Sequence, residues 1–296
     1  MPTKNLRVNK RMASVETMNK IAAKKKRGDA DAPPAVVIPL YEGTFSVGLD
    51  KEFHPIGRGD APATGALKLS IQPFLIREEE RLILFDTGIG DLFGGQSGAW
   101  RMRENLDNLG LECGDITDIF LSHLHFDHIA GLAHREHGTW ELTFPNATIY
   151  ASERGWQSLV GRADSLSDEE RAFVYFVDLY GDFSFLSNEE NHPLEHVRTL
   201  WIGGHTHDHL ALFYENGPQK FLMAGDVIGS KKALMRKYRA VYDADAEQGM
   251  EVREELKQLA WKAQYTILAY HETDSPMMRL SQWSPRSGYS IEVITV

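Results

Sequence analysis

Residues Ser122-His123-Leu124-His125-Phe126-Asp127-His128 decide how this chain reads. They follow the apolar run Ile116–Leu121, which has the length and composition of a short buried strand. On an extended backbone alternate side chains leave on the same side, so His123 and His125 project together. Asp127 and His128 come next, in the turn, where the backbone can redirect them. Three imidazoles and one carboxylate between His123 and His128 make a natural nest for a divalent metal, because these are the donors such ions accept. A polar loop that merely happened to be rich in histidine would not put four donors in this alternating order directly after a strand.

Working outward, the same arrangement recurs. The strand-like run Arg81–Phe85 ends in Asp86-Thr87-Gly88, and Val197–Ile202 precedes Gly204-His205-Thr206-His207-Asp208-His209. Phe221–Ala224 leads into Gly225-Asp226, and Tyr265–Tyr270 into His271. Each of these polar elements sits at a strand end or in the loop just after one, where sites on open α/β sheets are commonly built. Further strands are expected at Val36–Leu40, Phe45–Leu49, Leu67–Ile76, Ala147–Ala151, Leu210–Tyr214 and Tyr289–Val296. The charged turn Glu78-Glu79-Glu80 makes Leu67–Ile76 and Arg81–Phe85 a hairpin. Helices are expected over Gly98–Leu109, ending at Gly110, from Ser167-Asp168-Glu169-Glu170, a capping-box pattern, to about Tyr180, and over Ala244–Lys262. Strands in two groups with helices interspersed predict one α/β domain, two sheets face to face with helices outside.

Composition agrees. The 296 residues, 42% apolar and 25% charged, suit one globular domain. The longest apolar runs are far too short to span a bilayer, so no membrane partner is expected. The single cysteine, Cys113, cannot close an internal disulfide or contribute to a clustered thiolate zinc site, which leaves histidine and carboxylate as donors. Residues 1–27 hold nine Lys/Arg against one acid, Glu16, although the whole chain carries −10. Residues 1–34 therefore read as a basic arm ending in Pro33-Pro34, and 35–296 as the catalytic domain. The arm has no apolar core of a secretory signal, and the expected compartment is the cytoplasm. The acidic body argues against nucleic acid as a partner.

The set His123-x-His125-x-Asp127-His128, Asp86-Thr87-Gly88, Gly204–His209, Asp226 and His271, in this order, resembles the metallo-β-lactamase superfamily over about residues 36–296. The resemblance implies a four-layer αββα sandwich with the site at one edge of the two sheets. It implies a first metal on His123, His125 and His205, and a second on Asp127, His128 and His271. Asp226 would bridge the two, and Asp86 would orient a histidine through a hydrogen bond. In the Gly204–His209 element His207 stands where the family has proline, and His209 matches a histidine that is normally structural. The implied cofactors are two divalent ions, zinc foremost, with manganese or iron as alternatives.

The implied function is a dinuclear hydrolase that uses a metal-bridging hydroxide to cleave an ester-type bond, with Asp127 passing a proton to the leaving group. The order of elements is similar to the lactonase and methyl parathion hydrolase branch. A lactone or other carboxylic ester is the first expectation, and phosphoesters or thioesters are alternatives. Gly229 stands where acyl-homoserine lactonases carry a substrate-contacting tyrosine, so Tyr238 or Tyr242 would have to reach in. Partners are then a small-molecule substrate and, as an open option, a second copy of the chain. Two other readings compete: a mononuclear iron dioxygenase of the persulfide type, and an RNA-processing nuclease, suggested by His271-Glu272-Thr273.

Overall fold

The computed structural model describes residues 34–92 and 98–295, so the basic arm lies outside the described residues, Pro34 excepted. One sheet runs β1 (Val36–Pro39), β5 (Phe74–Arg77), β6 (Leu82–Phe85), β7 (Asp118–Phe120), β10 (Thr148–Ser152) and β11 (Asp182–Leu186) in spatial order. The other runs β12 (Glu190–Asn191), β13 (Val197–Trp201), β14 (Leu210–Asn216), β15 (Gln219–Met223), β16 (Thr266–Leu268), β17 (Met277–Ser284) and β18 (Gly288–Val293). A small sheet joins β3 (Phe53–Ile56), β2 (Gly43–Val47) and β4 (Leu67–Ile71), and β8 (Ala133–Glu136) pairs with β9 (Thr139–Leu142). The helices are α1 (Gly98–Asp107), α2 (Phe126–Ile129), α3 (Glu153–Gly161), α4 (Asp168–Tyr180), α5 (Lys231–Met235) and α6 (Ala246–Ala263).

The period of two along each strand sorts the core into layers. In β6, Ile83 and Phe85 enter the cluster between the sheets while Leu84 faces the cluster under α1, α3 and α4. In β14, Leu210, Leu212 and Tyr214 enter the inter-sheet cluster while Ala211 and Phe213 face that of α6. Both faces of both sheets are therefore covered, and the expected αββα sandwich is the observed fold. No helix among the described residues is long and apolar enough to cross a membrane.

Two features position the site. β6 and β7 are parallel, so Asp86 and His123 leave the first sheet at the same edge. β15 and β16 are parallel, so Asp226 and His271 leave the second sheet together. One expectation is corrected: Leu67–Ile76 is not a single strand. It breaks at Gln72-Pro73 into β4 and β5, which belong to different sheets. Proline has no N–H to donate to a ladder, and here only the Pro73 carbonyl pairs, accepting from Leu40 N at 2.7 Å. β5 and β6 do form the expected hairpin.

Candidate metal centre

His123 follows β7, His125 is the N-terminal cap of α2, and Asp127 and His128 lie within that short helix. The backbone N–H groups of His128 and Ile129 both bond the His125 carbonyl, at 3.0 and 3.2 Å, which closes the turn and redirects Asp127 and His128. His205 comes from the β13–β14 loop. There Gly204, at φ +87°, has its Cα side against Gly249 of α6, where a Cβ would sit 2.6 Å from the Gly249 Cα. Only glycine combines that φ with that approach. Asp226 sits on a 3-10 turn after β15. Its neighbour Gly225, at φ +46°, would drive a Cβ to 2.6 Å from His209 Nε2. His271 follows β16, with its N–H on the Gly229 carbonyl at 2.8 Å.

Seven side chains expected from the sequence meet in two adjoining groups: His123, His125, His205 and Asp226, then Asp127, His128 and His271. Within the first, His125 Nδ1 lies 3.1 Å from His123 Nε2 and 3.0 Å from His205 Nε2. Asp226 faces both groups. Its Oδ2 is 3.1 Å from His205 Nε2, and its Oδ1 is 3.2 Å from His128 Nε2 and 2.8 Å from His271 Nε2. Yet His128 Nε2, His271 Nε2 and Asp226 Oδ1 are buried without a satisfactory hydrogen bond. They converge on shared space instead of aiming at one another. Buried polar atoms left so are costly unless something occupies that space. The residues present fit divalent cations: imidazole nitrogens and carboxylate oxygens, with lone pairs turned inward.

The outward nitrogens of His123, His128, His205 and His271 are tied. His128 Nδ1 donates to Asp86 Oδ2 at 2.6 Å, His205 Nδ1 to Asp243 Oδ1 at 2.9 Å and His271 Nδ1 to the Ser70 carbonyl at 2.9 Å. Asp86, at φ +57°, also accepts from Ser122 N and Ser122 Oγ, both at 2.7 Å, and Ser122 Oγ lies 3.1 Å from His123 Nδ1. Such bonds select the tautomer that leaves Nε2 free to ligate. Asp86 is thus where the sequence put it. Asp243 was not foreseen as a partner of His205. It lies two residues before Asp245, which caps α6, and nothing local separates the two roles.

Electrostatics follow from burial and proximity. Burial presses His123 well down and His125 to about 4, so both are neutral at pH 7. Burial also works against the charge on His128, His205 and His271, but neighbouring carboxylates outweigh it. Asp127, Asp226 and Asp86 hold His128 well above its ordinary value, Asp226 and Asp243 raise His205 to about 9, and Asp226 and Asp127 raise His271. Asp226 is opposed by burial, yet His271, His205 and His128 keep its carboxyl well below the ordinary range. Without metal, protons neutralise these carboxylates; a bound cation would displace them.

The other histidines of the loop separate cleanly. His209 is buried, donates from Nε2 to the Ala224 carbonyl at 3.0 Å and stacks on His123, which is a structural role. His207 is exposed and lines a cavity of 290 Å³ that opens beside His123, His125 and His205. Tyr242 lines the same cavity, with its ring centroid 5.9 Å from that of His205, whereas Tyr238 packs under Arg253. Gly229 is occupied in holding His271. Trp156 and Phe173 are core, and Trp283 is an exposed residue of β17. Glu272 does not face the site: its carboxylate accepts from the N–H groups of Lys231, Thr273 and Asp274.

The fold agrees with the comparisons. The model of the metallo-beta-lactamase superfamily matches residues 68–262, and the chain belongs to that superfamily. Similar solved structures include a probable metal-dependent hydrolase from Staphylococcus aureus, 17% identical with a TM-score of 0.69, covering 90% of this chain and 99% of that one. AidC, a dizinc quorum-quenching lactonase, is 20% identical with a TM-score of 0.71 over 90% and 96% of the two chains. The hydrolase AbOPH is 24% identical with a TM-score of 0.66 over 92% and 99%. No curated protein matches the sequence.

Proposed function

We propose that the chain is a dinuclear metal-dependent hydrolase that cleaves a lactone or another carboxylic ester. The observation that carries this reading is Asp226, whose two oxygens face two separate groups of histidines. In the proposal His123, His125 and His205 hold one ion, Asp127, His128 and His271 the other, and Asp226 both. Two divalent ions so held would lower the pKa of a water between them toward neutrality and polarise a carbonyl oxygen.

The chain's own part is then as follows. Asp86, Asp243 and Ser70 fix the imidazoles. Asp127 turns Oδ2 toward His128 and His271, at 3.6 and 3.5 Å, while its Oδ1 has no hydrogen-bond partner among the described residues. That free oxygen can accept a proton and return it to the leaving alcohol oxygen. No serine or cysteine nucleophile is required: Ser122 Oγ is engaged with Asp86, and burial pushes the Cys113 thiol up. The lactonase activity named for AidC, on the same fold, supports the choice of a carboxylic ester.

The test is metal analysis of protein purified without chelator, followed by hydrolysis assays. About two equivalents of zinc, manganese or iron, with turnover of lactones or esters, is the expected result. One equivalent of iron with oxygen consumption on persulfides would overturn it. Turnover confined to phosphotriesters or thioesters would keep the centre and replace the substrate class.

A further inference from the structure

The cavity beside the centre is one-sided. Its floor holds Ser122, His123, His125 and His205, but neither His128 nor His271. From that floor, where Ser122, His123 and His205 are buried, it rises past Leu124 and Tyr242 to a mouth where Ser158, Arg162 and His207 are exposed. This flank gives a substrate whose reacting carbonyl lies at the centre a path along which to extend.

Resting on the hydrolase reading above, we propose that the substrate is a short ester whose far end carries a carboxylate, bound at the mouth by the Arg162 guanidinium. The backbone of Arg162 is fixed. It caps the C-terminus of α3 with its N–H on the Leu159 and Val160 carbonyls, and Ser165 N and Oγ bond its own carbonyl at 2.9 and 2.7 Å. Its guanidinium makes no ion pair or hydrogen bond with any described residue. Arg81, Arg135, Arg171 and Arg239 pair with Asp118, Glu169, Asp168 and Glu247, whereas Arg77 and Arg286 are exposed without an ion pair among the described residues but, unlike Arg162, do not line the cavity. The one acid lining the cavity, Asp208, does not pair with it either. Arg162 thus presents an unused planar fork of donors, which matches a carboxylate in two parallel hydrogen bonds. A cavity of 290 Å³ lies at the small end of ligand sites, which sets a chain of a few carbons between ester and carboxylate. In the reaction the ester C–O bond breaks, the water oxygen joins the acyl carbon and a water proton goes to the leaving oxygen.

The test compares the 4-nitrophenyl monoester of glutaric acid with 4-nitrophenyl pentanoate on the zinc-loaded protein. The expected result is a kcat/KM about tenfold or more higher for the charged ester, carried by KM, as for one charge-assisted fork. Arg162→Ala should bring that ratio to about one, and Arg162→Lys should keep part of it. Equal kcat/KM for both esters, or a preference that survives Arg162→Ala, overturns the proposal. If neither these esters nor lactones turn over, the carboxylic-ester reading fails by itself, and the subsite is read by calorimetry with glutarate. Binding about tenfold weaker in Arg162→Ala supports the subsite; equal affinity, or no binding to the unsubstituted protein, overturns it.

Discussion

The two halves of the centre are built differently. The half with His128 and His271 is closed. His128 is fully buried, stacks on Tyr270 at 4.1 Å and is tied to Asp86, and the Tyr270 hydroxyl donates to the Asp127 carbonyl at 2.7 Å. His271 is tied to Ser70 of β4. The half with His123, His125 and His205 opens on the cavity, and its orienting acid, Asp243, comes from the segment before α6. The closed half borrows its rigidity from packed strands, as a group that must not move does best. The open half leaves one flank to solvent, and a substrate needs that flank. Holding and admitting are thereby separated in space, with Asp226 between them.

Substitutions can break this contrast. The largest effect is expected for Asp226→Ala, which touches both halves: metal content should fall from about two equivalents to one or none, and hydrolysis by more than about 100-fold, beyond the loss typical of an orienting residue. Unchanged metal content and turnover would dismantle the assignment. Next comes Asp86→Ala in the closed half. It strips a buried imidazole and a buried serine of their acceptor, so zinc affinity by competition with a chelator should drop about 10–100-fold, with lowered thermal stability. Asp243→Asn, in the open half, should weaken zinc by about tenfold and leave the thermal midpoint of the metal-free protein nearly intact. If it destabilises as much as Asp86→Ala, the two halves are not distinct.

The smallest effect is expected for Glu42→Gln, beside the turn that follows Asp86. Glu42 is buried, accepts from Ile89 N at 2.8 Å, and burial raises its carboxyl from 4.5 to about 8. A carboxyl whose folded pKa is raised binds its proton more tightly in the native state. Its stabilisation is therefore complete below pH 4.5 and is lost as pH climbs to 8, on the order of 5 kcal/mol at most across that window. Glutamine mimics the protonated acid, so Glu42→Gln should raise the Tm at pH 8 by several degrees and leave it unchanged at pH 5. Equal midpoints at pH 8 would show that Glu42 ionises without cost.

How much of this was legible beforehand differs by residue. His123, His125, Asp127 and His128 are contiguous, and their alternation after a strand is written in the local order of side chains. His205, Asp226 and His271 are assigned through the resemblance to the superfamily, and their places after apolar runs agree with it, since strand ends share an edge when strands are parallel. Phe53–Ile56 escaped as a strand because it contains Pro55 and is largely exposed. β17 was missed because its apolar start follows a polar turn, Glu272–Pro276, that breaks the pattern.

The amino-acid order by itself determined the layered α/β fold, the donor types and the segments that carry them, since periodicity and loop chemistry are local properties of the chain. Only the tertiary structure decided that His205 rests on Asp243, that Ser70 of a third sheet pins His271, and that the cavity serves one half of the centre and ends at Arg162. Those are contacts between segments far apart in the chain, and their partners are chosen by packing, which no local pattern of side chains encodes.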